Sequence, residues 1–169
     1  MRLGDLVADR AEALGHPLAA LMGHEWRIHA AYLSARFDVV EAAVAAIERL
    51  ARRSALPLAQ WHLHRLYAAR TLLAGQFAES ADHRGRALAI ARDSGDVIAM
   101  SMHYAHGIRM AVVRGHREAL AAAPSMPLVD VARANVLALT DSPREARGAY
   151  DNLCGLLPSS CRSGRTRAP

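Results

Sequence analysis

The chain has few or none of several residue types, and each shortage excludes a class of protein. Its 169 residues contain no lysine and only two cysteines, Cys154 and Cys161, which form neither a CxxC pair nor a zinc pattern. We therefore expect neither a disulfide framework nor a structural zinc site, and a reducing cytoplasm is the simplest setting. No apolar stretch approaches the roughly 18 residues of a membrane span, and Asp5 and Asp9 interrupt the region where a signal peptide would be apolar.

Aromatic side chains are also scarce, at 5% of the chain, although 52% of the residues are hydrophobic. Alanine recurs in runs such as 121–123. Alanine is the best helix former, whereas strands prefer aromatic and β-branched residues. The composition therefore favours an all-α fold whose helices pack closely through small side chains.

Positive charge is in slight excess, with 21 basic and 16 acidic residues and a formal net charge of +5. Arg162, Arg165 and Arg167 lie in a C-terminal segment without acidic residues and account for three units of this excess. The rest of the chain is nearly balanced, so we expect no direct binding to nucleic acid and no membrane association. Residues 1–158 are predicted to be the folded domain, and residues 159–169 a disordered basic tail.

An internal repeat of about forty residues runs through the chain. The segment 47–59, IERLARRSALPLA, aligns with the segment 87–99, ALAIARDSGDVIA, and the alignment extends in both directions. Glycine or proline recurs at fixed places in the units, as at Gly15, Pro17 and Gly75. Since glycine commonly ends helices and proline suits a first helical turn, each unit is predicted to be a hairpin of two helices.

The same signals predict where the helices begin and end. We predict helix caps at Asp96 and at Asp38, the latter with Glu41 in capping-box spacing. Ser142 is predicted to cap the last helix, with Pro143 in its first turn. Helices are expected at about 3–14, 17–34, 38–54, 57–74, 77–94, 97–114, 116–123 and 127–140, with a final helix after Ser142.

Hairpins of this kind are expected to stack, because one hairpin alone cannot bury its apolar stripes. The predicted fold is therefore an all-α, right-handed solenoid of antiparallel helix hairpins. The register makes residues 3–14 the second helix of a unit whose first helix is absent. We accordingly expect a piece of a longer solenoid, and the alternative is a modified terminal cap.

Two segments resemble a known family. They are residues 68–96, AARTLLAGQFAESADHRGRALAIARDSGD, and residues 131–158, VARANVLALTDSPREARGAYDNLCGLLP. Both are similar to the tetratricopeptide-like (TPR-like) helical region of large ATP-binding transcriptional regulators of the LuxR type and of related actinobacterial signalling ATPases. The resemblance covers most of residues 10–158 and implies a TPR-like region that receives a signal and relays it.

The sequence also departs from that family. A nucleotide-binding domain and a DNA-binding helix-turn-helix accompany the helical region there, but no glycine-rich phosphate loop occurs in this sequence. The repeat is longer than the tetratricopeptide norm of about 34 residues. In addition, Ser80 stands where a small alanine is usual.

Nine histidines raise the question of a metal or catalytic site. His103 and His106 are three residues apart and share a helix face, but no carboxylate or cysteine is placed to complete a zinc set. Ser101 near His103, and Cys154 alone, lack a base and an orienting group. We therefore expect no metal, no cofactor and no enzymatic activity, and assign the histidines to the surface or to helix packing.

Residues forty apart should fall into columns across stacked helices. His24, His64 and Tyr104 share one column, which either offers a polar and aromatic strip to a partner or fills space between helices. Both interpretations are compatible with the partly buried habit of histidine and tyrosine.

A second set of columns gives the candidate binding site. Glu25 and Arg65 form one pair, and His29 and Arg109 form another, one turn further along the first helices of the units. With His62, these residues would line the concave side of the solenoid by analogy with tetratricopeptide grooves. The alternative is an ordinary solvated helix face.

The first hypothesis for function is therefore a non-enzymatic scaffold for protein–protein interaction or signal relay, with a protein or peptide as its partner. A second hypothesis is a sensor that binds a small molecule or peptide on the inner surface of the solenoid. A third is a truncated remnant without independent function.

Overall fold

Eight α-helices make up most of the described chain. The computed structural model describes residues 2–116, 120, 123–139 and 142–156, and these residues contain no β-strand. Among these residues, no helix has both the length and the apolar character needed to cross a membrane. The helices are α1 (Arg2–Ala13), α2 (Pro17–Leu33), α3 (Phe37–Ser54), α4 (Pro57–Leu73), α5 (Phe77–Ser94), α6 (Val97–Val113), α7 (Pro127–Leu139) and α8 (Pro143–Leu156).

The predictions of an all-α fold and of the individual helices are confirmed where the chain is described. The predicted boundaries of α1 to α7, and the predicted start of α8, lie within one residue of the observed ones. Of the helix predicted at 116–123, only residues 116, 120 and 123 are described. The tail predicted at 159–169 lies wholly outside the described residues.

Successive helices begin at intervals of twenty residues. The first residues of α2 to α6 are Pro17, Phe37, Pro57, Phe77 and Val97. Two residues before each of these starts, and once more after α6, the backbone dihedral φ is positive, with values from 47° to 81°. The residues with positive φ are Gly15, Ala35, Ala55, Gly75, Gly95 and Gly115. The forty-residue repeat therefore consists of two twenty-residue segments, each made of one helix and one turn.

Several of these turns end the helix with the same hydrogen bond. The residue that follows the left-handed one donates its N–H to the carbonyl five residues earlier, at 2.8 Å from His16 to Ala11 and from Gln76 to Thr71. This bond satisfies a carbonyl group at the helix end and requires a left-handed residue before the donor. Glycine adopts that conformation freely, whereas alanine adopts it at a cost of about 1 to 2 kcal/mol.

One of the two predicted interior caps is confirmed and the other is wrong. The Asp96 side chain caps α6 and accepts a hydrogen bond from the Ala99 N–H at 2.9 Å. Asp38, however, is not a cap, because α3 begins at Phe37 and Arg36 occupies the cap position without a side-chain cap bond. The Asp38 carboxylate instead accepts hydrogen bonds from the Arg36 guanidinium at 3.1 and 3.2 Å.

The described residues form two compact units, and the boundary between them lies between Gly95 and Asp96. In the first unit an apolar core is shared by α1 to α4, with Leu21, Ile28 and Ile47 fully buried. Small residues allow α1 and α2 to approach closely, since a Cβ added at Gly23 would lie 2.5 Å from the backbone nitrogen of Ala8. The close packing that the composition predicted is therefore present.

The helix α5 packs on α4 partly through a buried hydroxyl group. Ser80 is fully buried, and its Oγ donates a hydrogen bond to the carbonyl oxygen of Ala68 at 2.7 Å. A buried hydroxyl group is tolerated when it has such a partner. The serine that departs from the usual alanine is thus accommodated between these two helices.

The second unit has a separate core, formed by α6, α7, α8 and Leu120. Ile108 of α6 and Val129 of α7 are almost fully buried, and Ala146 of α8 packs against the same cluster. The buried Ser101 hydroxyl accepts a hydrogen bond from the Leu128 N–H at 3.1 Å, at the start of α7. Ser101 is thereby occupied in joining two helices.

Replacing the two left-handed alanines tests the turn geometry. We expect Ala35→Gly and Ala55→Gly each to raise the free energy of unfolding by about 0.5 to 1 kcal/mol. Glycine removes the strain of positive φ, but its greater conformational freedom in the unfolded chain offsets part of this gain. Urea denaturation of the full chain measures the change.

The matched control is Ala42→Gly, an exposed position inside α3. There glycine should lower the free energy of unfolding by up to about 1 kcal/mol. Destabilisation of the same size at all three positions would contradict the left-handed assignment of residues 35 and 55.

Candidate functional site

A buried carboxylate lies at the centre of the candidate site. Glu25 of α2 is only 4% exposed. Its Oε2 lies 2.5 Å from Nη2 of Arg65, and its Oε1 lies 3.0 Å from Nδ1 of His62. Arg65 and His62 both belong to α4, so two helices supply the cluster. The two partners compensate a charge that would be costly to bury alone.

Nδ1 of His62 lies between the carboxylate and the guanidinium. It is 3.0 Å from Oε1 of Glu25 and 3.3 Å from Nη2 of Arg65. A proton on Nδ1 lets the ring donate to the carboxylate, whereas a lone pair there lets it accept from Arg65. Either tautomer of His62 therefore joins the cluster.

The surroundings of Glu25 keep it ionised. Burial alone would raise its pKa, but the contact with His62 and the charges of Arg65, His62 and His29 lower it, and the net effect is a lowered pKa. The carboxylate is therefore charged at neutral pH. It remains a fixed acceptor for the Arg65 guanidinium.

Aromatic contacts also restrict the Arg65 side chain. Its guanidinium carbon lies 5.6 Å from the ring centroid of the buried Trp61, one turn earlier on α4. The Trp61 ring also meets the His62 ring edge-on, with centroids 4.7 Å apart. Held between an indole ring and a carboxylate, Arg65 still has 27% of its side chain exposed. It therefore presents a partly exposed guanidinium in a fixed orientation.

An exposed apolar stripe runs along α2 beside this cluster. Leu18, Trp26 and Leu33 are 52%, 49% and 92% exposed. With the half-buried Met22 they follow helical spacing, which places them on one side of the helix. Glu25 lies at the edge of that side, seven residues after Leu18. We call Leu18, Met22, Trp26 and Leu33 the α2 face.

The structure brings together three of the five residues predicted for the site. Glu25, His62 and Arg65 form the cluster described above. His29 lies exposed on α2, one turn after Glu25, and acts on it through charge. Arg109 is exposed on α6, which belongs to the second unit.

Sequence reasoning did not include the two tryptophans in the site. Trp61 orders Arg65, and Trp26 supplies the largest exposed ring of the α2 face. They are the two tryptophans of the sequence, and each is next to a predicted site residue: Trp26 follows Glu25, and Trp61 precedes His62. That adjacency in an aromatic-poor sequence was the signal that could have identified them.

The column of His24, His64 and Tyr104 has a packing role at its first position. His24 is 3% exposed, and its Nε2 lies 2.8 Å from Oε1 of Glu12 on α1. His64 is half-buried and contacts His83 of α5. Tyr104 packs against the core of the second unit.

The second unit contains a cavity of about 610 Å³ lined by apolar and charged side chains. Its walls include Asp130, Arg133 and Glu145 as well as the apolar Leu137 and Leu153. The Arg133 guanidinium donates hydrogen bonds to the carbonyl oxygens of residues 120 and 123 and to the Asp130 carboxylate, at 2.7 to 3.1 Å. These three acceptors fix Arg133 at the wall of the cavity.

Comparisons of the chain with protein-family models, with curated proteins and with solved structures found no match.

Removing the charge of Glu25 tests the energetic role of the cluster. We expect Glu25→Gln to lower the free energy of unfolding by about 2 to 3 kcal/mol at pH 7, because Arg65 loses its partner in a mostly buried setting. This value is below that for a fully buried pair, since Arg65 is partly exposed. Urea denaturation measures the effect.

The pH dependence has a defined sign. The folded pKa of Glu25 is lowered, so its stabilisation is present above the ordinary value of 4.5 and is lost as the pH falls through the lowered folded value. The Glu25→Gln variant should not show this loss of stability at low pH. The control is Glu41→Gln, which removes an exposed pair with Arg70 and should cost less than about 0.5 kcal/mol. Equal effects of the two variants would contradict a structural role for the buried carboxylate.

Proposed function

We propose that this chain is a non-enzymatic helical-repeat scaffold that binds a protein or peptide partner or relays a signal, as the repeat region of a multidomain transcriptional regulator does. We also propose that its helices pack one after another as a right-handed, TPR-like solenoid. Helix starts at twenty-residue intervals support this proposal, because a constant step is the basis of solenoid packing.

The observation that carries the proposal is the α2 face beside the Glu25 cluster. Apolar side chains exposed in a contiguous stripe commonly mark a surface that a partner covers. Tryptophan and arginine are the residue types that contribute most often to binding energy, and Trp26 and Arg65 both belong to this region. A partner with apolar residues at helical spacing, and with a carboxylate directed towards Arg65 or His29, would complement it.

The fixed geometry of the cluster supports recognition by this surface. A side chain that must be ordered on binding costs about 0.5 to 1.5 kcal/mol of affinity. Glu25 and Trp61 already orient Arg65, so most of this cost falls on folding and little on binding. The same argument applies to His62, whose Nδ1 is held between the carboxylate and Arg65.

A second candidate function is a small-molecule sensor, and the cavity of the second unit favours it. Its volume lies in the range of about 300 to 1,000 Å³ that ligand sites occupy. Apolar and charged groups converge on it, as in sites that fix the orientation of a small ligand. Glu145 would favour a ligand with a cationic group, whereas both oxygens of Asp130 already accept hydrogen bonds, from Ser125 and Arg133.

Selection from a displayed peptide library tests the scaffold proposal. We expect the full chain to enrich peptides with apolar residues at helical spacing and acidic residues beside them. Replacement of a binding hot spot should weaken such peptides by about 30-fold, the equivalent of 2 kcal/mol. Trp26→Ser and Arg65→Glu should both show this loss. In the same assay, Arg109→Glu tests whether Arg109 of the second unit, which was also predicted for the site, takes part in binding.

The matched control is Phe37→Ser. Phe37 is an aromatic residue outside the α2 face that is 60% exposed, against 49% for Trp26, and this variant should bind the peptides normally. Thermal unfolding monitored by circular dichroism identifies any variant that fails to fold. If Arg65→Glu fails to fold, Trp26→Ser alone tests the proposal. Failure to enrich any peptide, or equal binding by Trp26→Ser and wild type, would refute the proposal. Peptide loss caused only by changes at Asp130 or Glu145 would favour the sensor.

A further inference from the structure

Two histidines face each other between α4 and α5. Nδ1 of His64 lies 3.2 Å from Nδ1 of His83, and the two rings have centroids 5.4 Å apart. The Tyr67 ring packs against the His83 ring at a centroid distance of 5.1 Å. His64 and His83 are both half-buried. They therefore form a contact of two titratable rings inside the first unit.

The distance between the nitrogens limits the protonation states of the pair. A hydrogen bond between two Nδ1 atoms needs a proton on one atom and a lone pair on the other. Protonation of one ring preserves this arrangement, because the neutral ring can still accept. Protonation of both rings places two N–H groups and two positive charges against each other, and the contact cannot persist.

Neighbouring charges offer the second positive ring little compensation. On α5, Asp82 is near His64 but is paired with Arg86 at 2.8 Å. From α3, Glu48 reaches Tyr67 but is paired with Arg52 at 2.7 Å. The remaining charged group near Tyr67 is Arg70 of α4. Each carboxylate that acts on His64 or Tyr67 thus already has an arginine partner.

We propose that the contact between His64 and His83 is a pH-responsive link between α4 and α5, intact while at least one ring is neutral and broken when both rings are protonated. Acidification would then loosen α5 from α4. The core shared by α1 to α4 does not include this pair and would remain packed.

The direction of the effect follows from the environment of His64. Burial lowers its pKa from the ordinary 6.5, the charges of His83 and Arg86 lower it further, and Asp82 opposes them. A lowered folded pKa means that the unfolded chain binds more protons in this range. The stabilisation is therefore complete above pH 6.5 and is lost as the pH falls through the lowered folded value. This loss begins below pH 6.5, whereas the loss that involves Glu25 begins below pH 4.5.

The test is an NMR pH titration of the full chain between pH 8 and pH 5, read at the histidine ring resonances and by amide hydrogen exchange in α5. We expect the midpoint of His64 to lie below its ordinary value of 6.5. Exchange protection in α5, corrected for the intrinsic rate, should fall by about tenfold for each unit by which the His64 pKa is lowered. Protection in α3 should change less.

Two variants assign the effect to the pair. His83→Gln keeps a side chain that can hydrogen-bond to His64 but carries no charge, so the His64 midpoint should rise and the pH dependence of α5 protection should shrink. His64→Gln should remove that dependence, and it serves if His83→Gln fails to fold. The control His16→Gln should behave as wild type. A His64 midpoint at or above 6.5, or an unchanged pH dependence of α5 protection in either folded pair variant, would overturn the proposal.

Discussion

The structure depends on one backbone constraint, the left-handed residue at every twentieth position from 15 to 115. An α-helix has no intrinsic reason to stop after seventeen or eighteen residues, and nothing in the helix interiors of α2 to α5 forces them to end. The stop comes from the turn, where positive φ permits a helix-closing hydrogen bond such as His16 to Ala11. Because the interval is constant, each helix begins in the same register as the one before it.

That register has a direct consequence for the candidate site. In the first unit Glu25 of α2 lies against Arg65 of α4, although forty residues separate them in the chain. The buried carboxylate is tolerable only because the opposing helix supplies both Arg65 and His62. Partner recognition, in the function we propose, would therefore use side chains that the fold already holds in place. The exposed stripe with Trp26 would add apolar contact area beside them.

Much of this architecture could be predicted from sequence, because glycine, proline and helical periodicity act locally. Gly75, Pro57 and Asp96 specify their turns and caps by their own chemistry. Ala35 and Ala55 do not, since alanine ordinarily favours helix and takes positive φ here only because the helices on both sides require a turn. Asp38 was assigned as a cap for a related reason: its side chain suits that role, but closure of the turn at Arg36 moved the helix start one residue earlier.

The candidate site could also be predicted only in part. Equal spacing identified the Glu25–Arg65 pair, whereas the stacking of Arg65 on Trp61 and the contact of His64 with His83 depend on side-chain rotamers that no spacing encodes. The most direct test of the central constraint is backbone NMR of the full chain, through secondary chemical shifts and the intraresidue HN–Hα nuclear Overhauser effect. We expect helical shifts interrupted at residues 15, 35, 55, 75, 95 and 115, with strong intraresidue effects at Ala35 and Ala55 that mark positive φ. Helical shifts continuing unbroken through residue 35 or 55 would contradict it.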